Sequence, residues 1–209
     1  MILVGQYDSP YVRRVAVSLR VLGFDYEHDT RSIFGDFDAL RQINPVGRIP
    51  SLLLDDGRVL VDSAAILDWL DDTVGPERAL LPSRGKTRQR AMQLVVLATG
   101  VIDKVGAMIY ERVVRPEAYR WPEWIERSRT QAVGGLAALA REPWAATDRL
   151  DQAQITTACM LRHAALSDAS LLAGDDYACL RALSERCEAL PEFKATFPAE
   201  YVLPKAEST

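Results

Sequence analysis

With 209 residues, 48% of them hydrophobic and 26% charged, the chain is long enough for one large domain or two small ones with substantial cores. Its formal net charge of −4 speaks against nucleic acid as the main partner, because phosphate binding needs a concentrated basic face. The 11 prolines are spread widely, and the composition gives no sign of low complexity or disorder before the last few residues.

The chain opens Met1-Ile2-Leu3-Val4 and then turns polar, without the charged start and apolar run of an export signal, so a cytoplasmic location is expected. Ile2 to Val4 reads as a short buried strand. Ser9-Pro10 is a helix start written twice, as a capping hydroxyl and then a proline at the first helical position. Val12, Val15, Ala16, Leu19 and Leu22 follow at helical spacing, with Gly23 as terminator. Phe24 to His28 resembles a second strand, and a short helix is expected from Asp36 or Asp38 to just before Asn44-Pro45. Ser51 to Leu54 and Val59 to Val61 flank Asp55-Asp56-Gly57, the turn chemistry of a hairpin. Pro50 stands at the entrance of that hairpin and holds Ile49 extended, with backbone groups free to bind something. Asp62-Ser63 then caps a helix carrying Ala64, Ile66, Leu67 and Leu70, and such a helix start is a natural anion site.

Thr73-Val74-Gly75-Pro76 and Leu80-Leu81-Pro82-Ser83 mark a break, after which strand signals vanish. The fold class expected is therefore α/β plus all-α. Residues 1–76 form a thioredoxin-like domain, 77–86 a linker and 87–209 an all-helical domain. Helical patterns cover Arg88 to Arg112, Glu123 to Arg141, Ile155 to Leu166 and Tyr177 to Leu190, the last closed by Pro191. Gly134-Gly135 suggests close helix packing, and Asp151 with Gln154 has the spacing of a capping box. The longest largely apolar run, 94–102, is interrupted by Thr99 and Gly100 and is too short to span a bilayer, so no membrane association is expected. Cys159, Cys179 and Cys187 have no CxxC spacing and no histidine pattern around them, which supports neither a metal site nor a redox dithiol.

Ser9-Pro10, Gly47-Arg48-Ile49-Pro50 and Asp62-Ser63 in an α/β half, joined through Leu80-Leu81-Pro82 to a helical half, resemble the glutathione S-transferase family. Tyr7-x-Ser9-Pro10-Tyr11-Val12-Arg13-Arg14, Asn44-Pro45-Val46-Gly47-Arg48-Ile49-Pro50 and Gly100-x-x-Asp103 with Glu111 and Arg115-Pro116 are similar to its serine-type bacterial members. The resemblance implies that Ser9 points its hydroxyl at the glutathione sulfur and that Pro50 is cis. It implies that Arg48 lies in the glutathione site, that the Ile49 backbone pairs with the cysteinyl part like an added strand, and that Asp62 and Ser63 hold the γ-glutamyl end. Tyr7, Asp103, Ala107, Met108 and Glu111 would face a second, electrophilic substrate. A homodimer is implied as well, with glutathione a co-substrate and no other cofactor.

The chemistry asked of such a site is ionisation. A free thiol with a pKa of about 8.5 is only a few per cent thiolate at neutral pH. Lowering that value by roughly two units needs about 2.7 kcal/mol in favour of the anion. One charge-assisted hydrogen bond from Ser9 and the positive end of its helix are of that order. Tyr7 is an alternative activating hydroxyl, but Ser9 sits where the helix dipole helps. Plain capping is the rival role for both Ser9 and Asp62-Ser63. Arg13 and Arg14 read as a solvated or salt-bridged face, His163 as a core histidine, and the cysteines as buried small residues. Asp103 and Glu111, eight apart on one helix, share roughly one face. Conjugation of glutathione to a small electrophile is the activity expected. A glutathione-dependent isomerase or peroxidase on the same site, and a non-catalytic interaction module of the same fold, are the alternatives.

Overall fold

The computed structural model describes residues 1–144 and 149–198. A four-stranded sheet in the order β2-β1-β3-β4 is built from β1 (Ile2–Val4), β2 (Glu27–Asp29), β3 (Ser51–Leu53) and β4 (Val59–Val61). β1 runs parallel to β2 and antiparallel to β3, which pairs antiparallel with β4 around Gly57 at φ 85°. A crossover through α1 (Pro10–Leu22) joins the parallel pair, as parallel strands require. The second strand begins three residues later than the pattern suggests, because Phe24 and Tyr26 pack against the core as single anchors in a loop.

Ser9 caps α1, accepting from Val12 N at 3.4 Å, and Pro10 is its first residue. The short α2 (Phe37–Ile43) follows Asp36, and α3 (Ser63–Val74) packs on α1, β3 and β4. Thus the thioredoxin-like arrangement read from the sequence is the one observed. The connection to the helical half is pinned: the Asp71 carboxylate accepts from Leu80 N at 2.7 Å and Leu81 N at 3.1 Å, and Leu80 O accepts from Gln152 N at 3.0 Å.

The helical half comprises α4 (Gly85–Ile109), α5 (Pro122–Ala140), α6 (Gln152–Ser167), α7 (Ala178–Glu188) and the short α8 (Pro191–Lys194). Pro191 opens α8 and so does more than close the preceding helix. α6 is the central helix, in contact with α1, α4 and α7, and its Asp151–Gln154 capping box is fully formed. Gly135 provides the close packing its sequence suggests, since a Cβ there would lie 2.5 Å from Val101 Cγ2; Gly134 meets nothing within 4 Å.

The run Gly85–Val114 corrects the bilayer argument, because this continuous helical stretch contains an 18-residue window of mean hydropathy 1.6 and so has the length and apolarity to cross a membrane. Its buried stripe of Ala91, Leu94, Ala98, Val101, Ile102 and Val105 packs on α5 and α6.

Candidate active site

The site begins at the start of α1. The half-buried Ser9 uses its Oγ lone pair to cap Val12, so its own proton remains to be given to a ligand. Gly5, at φ 126°, lets the next wall approach: a Cβ there would lie 2.6 Å from Val12 Cγ2 and 2.8 Å from Ile49 Cβ. Only glycine permits both that backbone angle and that contact. Its importance is invisible in the sequence, where it is merely the residue after β1.

Residues 44–50 form the wall itself. The buried Asn44 organises it, its Oδ1 accepting from Val46 N at 3.0 Å and its Nδ2 donating to Arg48 O at 2.8 Å, while Gly47 N donates to Asn44 O at 2.7 Å. The Ile49–Pro50 peptide is cis, as the resemblance implies. Among the described residues the Ile49 peptide N–H and C=O have no hydrogen-bond partner, and they are available to an extended peptide.

Beyond Pro50 and β4, Asp62 turns the chain into α3 at φ 68° and ψ 137°, the one non-glycine residue with positive φ among those described. Such a conformation costs of order 1–3 kcal/mol and persists where surrounding structure enforces it. Its exposed carboxylate caps Ala64 N at 2.9 Å. Ser63 is buried, and its Oγ accepts from Arg14 Nη2 at 2.7 Å.

Arg13 is salt-bridged, as one alternative of the arginine reading held, but neither side chain is on a solvated face, Arg13 being 1% and Arg14 3% exposed. Arg13 is fully engaged, bidentate to Glu188 at 2.7 and 2.6 Å and donating to Thr196 O and Phe193 O. Arg14 differs. Its Nε and Nη1 are buried without a partner among the described residues, and burial lowers its pKa, the Tyr11 and Asp62 charges opposing that shift. A guanidinium without a paired carboxylate therefore stands directly behind Ser63.

Between this corner and α4 lies a cavity of about 510 Å³, lined by Ser9, Arg48 and Ile49 on one side and by Asp103, Gly106, Ala107 and Tyr110 on the other. Tyr11, which the sequence reading passed over, ties the two walls: its hydroxyl donates to Asp103 Oδ1 at 2.5 Å and to Thr99 O at 3.3 Å. Its sequence signal is its place two residues after the helix cap, within the motif at 7–14. Burial and the bond to Asp103 raise the Tyr11 pKa, so it remains a protonated donor. His163 also lines the cavity, and burial lowers its pKa to about 3, leaving the ring neutral.

The structure brings Ser9, Arg48, Ile49, Asp103 and Ala107 to one cavity and leaves other expected residues outside its wall. Pro50, Asp62 and Ser63 do not line it. Tyr7 turns away, its ring stacked on His28 at 3.9 Å and its hydroxyl 2.9 Å from that of Tyr26; burial and Tyr26 raise its pKa. Met108 is buried in the helical core at 1% exposure. Glu111 does not line the cavity with Asp103: eight residues already offset two positions of an α-helix by about 80°, and α4 passes at Tyr110 into a π-turn (Tyr110–Val114). Its carboxylate instead accepts from Trp121 N and Arg115 Nε, each at 2.8 Å. Among the cysteines, Cys159 and Cys187 are buried, their thiols pushed up by desolvation to about 12 and about 11, while Cys179 is half-buried and donates to Ala140 O. None lines the cavity.

A thioredoxin-like sheet with a cis-proline loop, facing a helical half across a cavity, defines a two-part protein. Residues 3–78 match the family model described as glutathione S-transferase, N-terminal domain. A glutathione transferase family member from Pseudomonas fluorescens, solved with bound glutathione, is 34% identical, with 94% of this chain and 98% of that one covered and a TM-score of 0.84. A Methylobacterium radiotolerans glutathione S-transferase in complex with glutathione sulfonate is 29% identical at TM-score 0.86, covering 98% and 97% of the two chains. A Drosophila melanogaster protein named probable maleylacetoacetate isomerase 1 is 27% identical over 206 residues, 95% of this chain and 81% of its own. The chain belongs to the glutathione transferase family.

Proposed function

We propose that the protein binds glutathione, ionises its thiol with Ser9 and transfers the thiolate to a small uncharged electrophile held against α4. The observation that carries this reading is the Ser9 hydroxyl, at the N-terminus of α1 and in the wall of the cavity shared with Arg48 and Ile49. The hydroxyl and the helix dipole both favour an anion at that point. In this reading Ile49 pairs with the cysteinyl backbone beside cis-Pro50, Arg48 meets the glycyl carboxylate, and the α3 start at Asp62-Ser63 receives the γ-glutamyl group. Because Arg14 can only donate, Ser63 Oγ accepts from it and turns its proton toward the ligand, with the guanidinium charge behind.

The relative named as a probable maleylacetoacetate isomerase favours a second reading, in which the thiolate adds reversibly and glutathione is released unchanged. The charges on the cavity wall weigh against a dicarboxylate substrate. Arg48 is its basic side chain and would already face glutathione, Asp8 and Asp103 are acidic, and His163 is neutral. A homodimer is supported by exposed Val59 and Val61 on the edge strand β4 and exposed Met92 and Val96 on α4. Val96→Glu should then raise the dissociation constant of the dimer at least tenfold in sedimentation; an unchanged or monomeric wild type would end that claim. Free cysteines fit a reducing, cytoplasmic compartment.

The deciding experiment follows bound thiolate by ultraviolet difference spectroscopy across pH, in wild type and Ser9→Ala. Thiolate should form well below the free pKa in wild type. In the variant, kcat/KM should fall by roughly 10–100-fold, the worth of a hydrogen bond to a charged group, with glutathione affinity nearly unchanged. Tight binding without ionisation would refute a transferase role.

A further inference from the structure

The cavity that holds Ser9 does not end at its aromatic rim. Phe34, from the loop before α2, and Tyr110, at the first position of the π-turn, meet edge to face at 6.0 Å between ring centroids, bridging the two halves of the chain. On the far side of this pair is a second hollow of about 460 Å³, which Ser9 does not line and which shares Ile33, Phe34, Gly47 and Tyr110 with the first. Its remaining walls include Phe37, Val114 and Pro116. Phe37 and Val114 are 49% and 46% exposed, and the Arg41 guanidinium lies 5.8 Å from the Phe37 ring centroid. Glu111 and Arg115 also border it, but they are paired at 2.8 Å and offset each other's charge.

Local backbone chemistry builds this second hollow. Gly47, at φ 67°, lets the Phe37 ring lie directly on the peptide; a Cβ there would fall 2.5 Å from Phe37 Cε2. On the opposite wall, the π-turn sends Tyr110 toward Phe34 while Glu111 points inward to Trp121 N. The two devices come from distant parts of the chain and face each other across one opening.

We propose that the second hollow is a subsite for the far end of an elongated, uncharged, apolar electrophile, and that the Phe34–Tyr110 pair divides it from the chamber where the thiolate reacts. The proposal rests on the glutathione reading above. It adds that the protein selects for length: a short electrophile fits within the first chamber, whereas a long one passes the aromatic pair and buries its tail against Phe37, Val114 and Pro116.

The test is a series of S-alkylglutathiones from methyl to decyl, titrated by intrinsic fluorescence against wild type and Val114→Asp. Val114 does not line the first chamber. Buried methylenes strengthen binding by roughly fourfold each, so wild-type affinity should continue to climb through the longer chains. In Val114→Asp the climb should stop part-way, costing the decyl ligand tenfold or more and the methyl ligand less than twofold. Phe37→Ser, on the other wall, should give the same selective loss. A wild-type plateau at short chains, or an equal loss for all lengths in the variants, would overturn the second subsite while leaving glutathione binding intact. Failure of wild type to bind even S-methylglutathione would overturn the underlying reading and the subsite with it.

Discussion

Two residues at the cavity show how burial rewrites ordinary chemistry. Arg14 is a buried cation whose described partners are the Ser63 hydroxyl and the Tyr11 ring, 5.6 Å from its guanidinium, with no carboxylate paired to it. His163 is the opposite case, a titratable group that burial keeps neutral. Its folded pKa of about 3 lies below the unfolded value of ~6.5. The unfolded chain therefore binds the extra proton. The stability gained by keeping the ring neutral is complete above the unfolded value and is lost as pH falls from there toward the folded one. Between pH 7 and pH 5 the wild type should lose about 2 kcal/mol through this group. Urea titrations of wild type and His163→Gln should show a shallower acid limb in the variant. Parallel limbs would contradict this. The burial of His163 was legible in the sequence because its neighbours form an apolar helical pattern. That of Arg13 and Arg14 was not, because their partners Glu188 and Ser63 lie 175 and 49 residues away.

At the level of elements, local sequence was informative wherever local chemistry decides the outcome. Ser9-Pro10, the Asp56-Gly57 turn and Asp151 with Gln154 each carry their own geometry, and α1, the β3–β4 hairpin and α6 follow. The π-turn after Ile109 has no such signature, and Glu111, which stands in it, lies off the cavity wall that Asp103 lines. Gly134-Gly135 was readable as close packing, but which of the two touches a neighbour depends on the crossing of α4 and α5. The pair therefore gives a prediction with two signs. Gly135→Ala drives a methyl against Val101, which is 1% exposed and stiff as a β-branched residue, and should cost about 1–3 kcal/mol. Gly134→Ala enters open space and should gain about 0.5–1 kcal/mol from helix propensity. Denaturant midpoints would report both. Adding Val101→Ala should recover much of the Gly135→Ala loss, and a loss unaffected by it would mean that the strain lies elsewhere.

For the whole molecule, the question is what fixes the α/β half against the helical half, since the cavity exists only while they stay in register. Tyr11 reaches Asp103 across the mouth of the cavity, Asp71 and Leu80 pin the connection, and Arg13 locks α1 to the end of α7 and the carbonyls of Phe193 and Thr196. Of these ties, the Arg13–Glu188 pair is the most buried, with side-chain exposures of 1% and 18%. The desolvation cost of such a pair is large, and its net value against an apolar pair is small. Breaking it from one side is another matter, because the guanidinium would remain inside with two carbonyls and the Phe193 and Phe197 rings but no counter-charge. Glu188→Ala should therefore destabilise by about 3 kcal/mol, whereas Arg13→Met combined with Glu188→Leu should recover most of that loss. Calorimetry of the two variants distinguishes the possible roles of the tie. If it chiefly satisfies buried charge, the double variant unfolds near the wild-type temperature in a single transition. If it is what couples the halves, the double variant shows two separated transitions although its stability is restored. The continuous packing of α6 against both α1 and α4 favours the single transition, since apolar contact through the centre of the molecule already joins the halves.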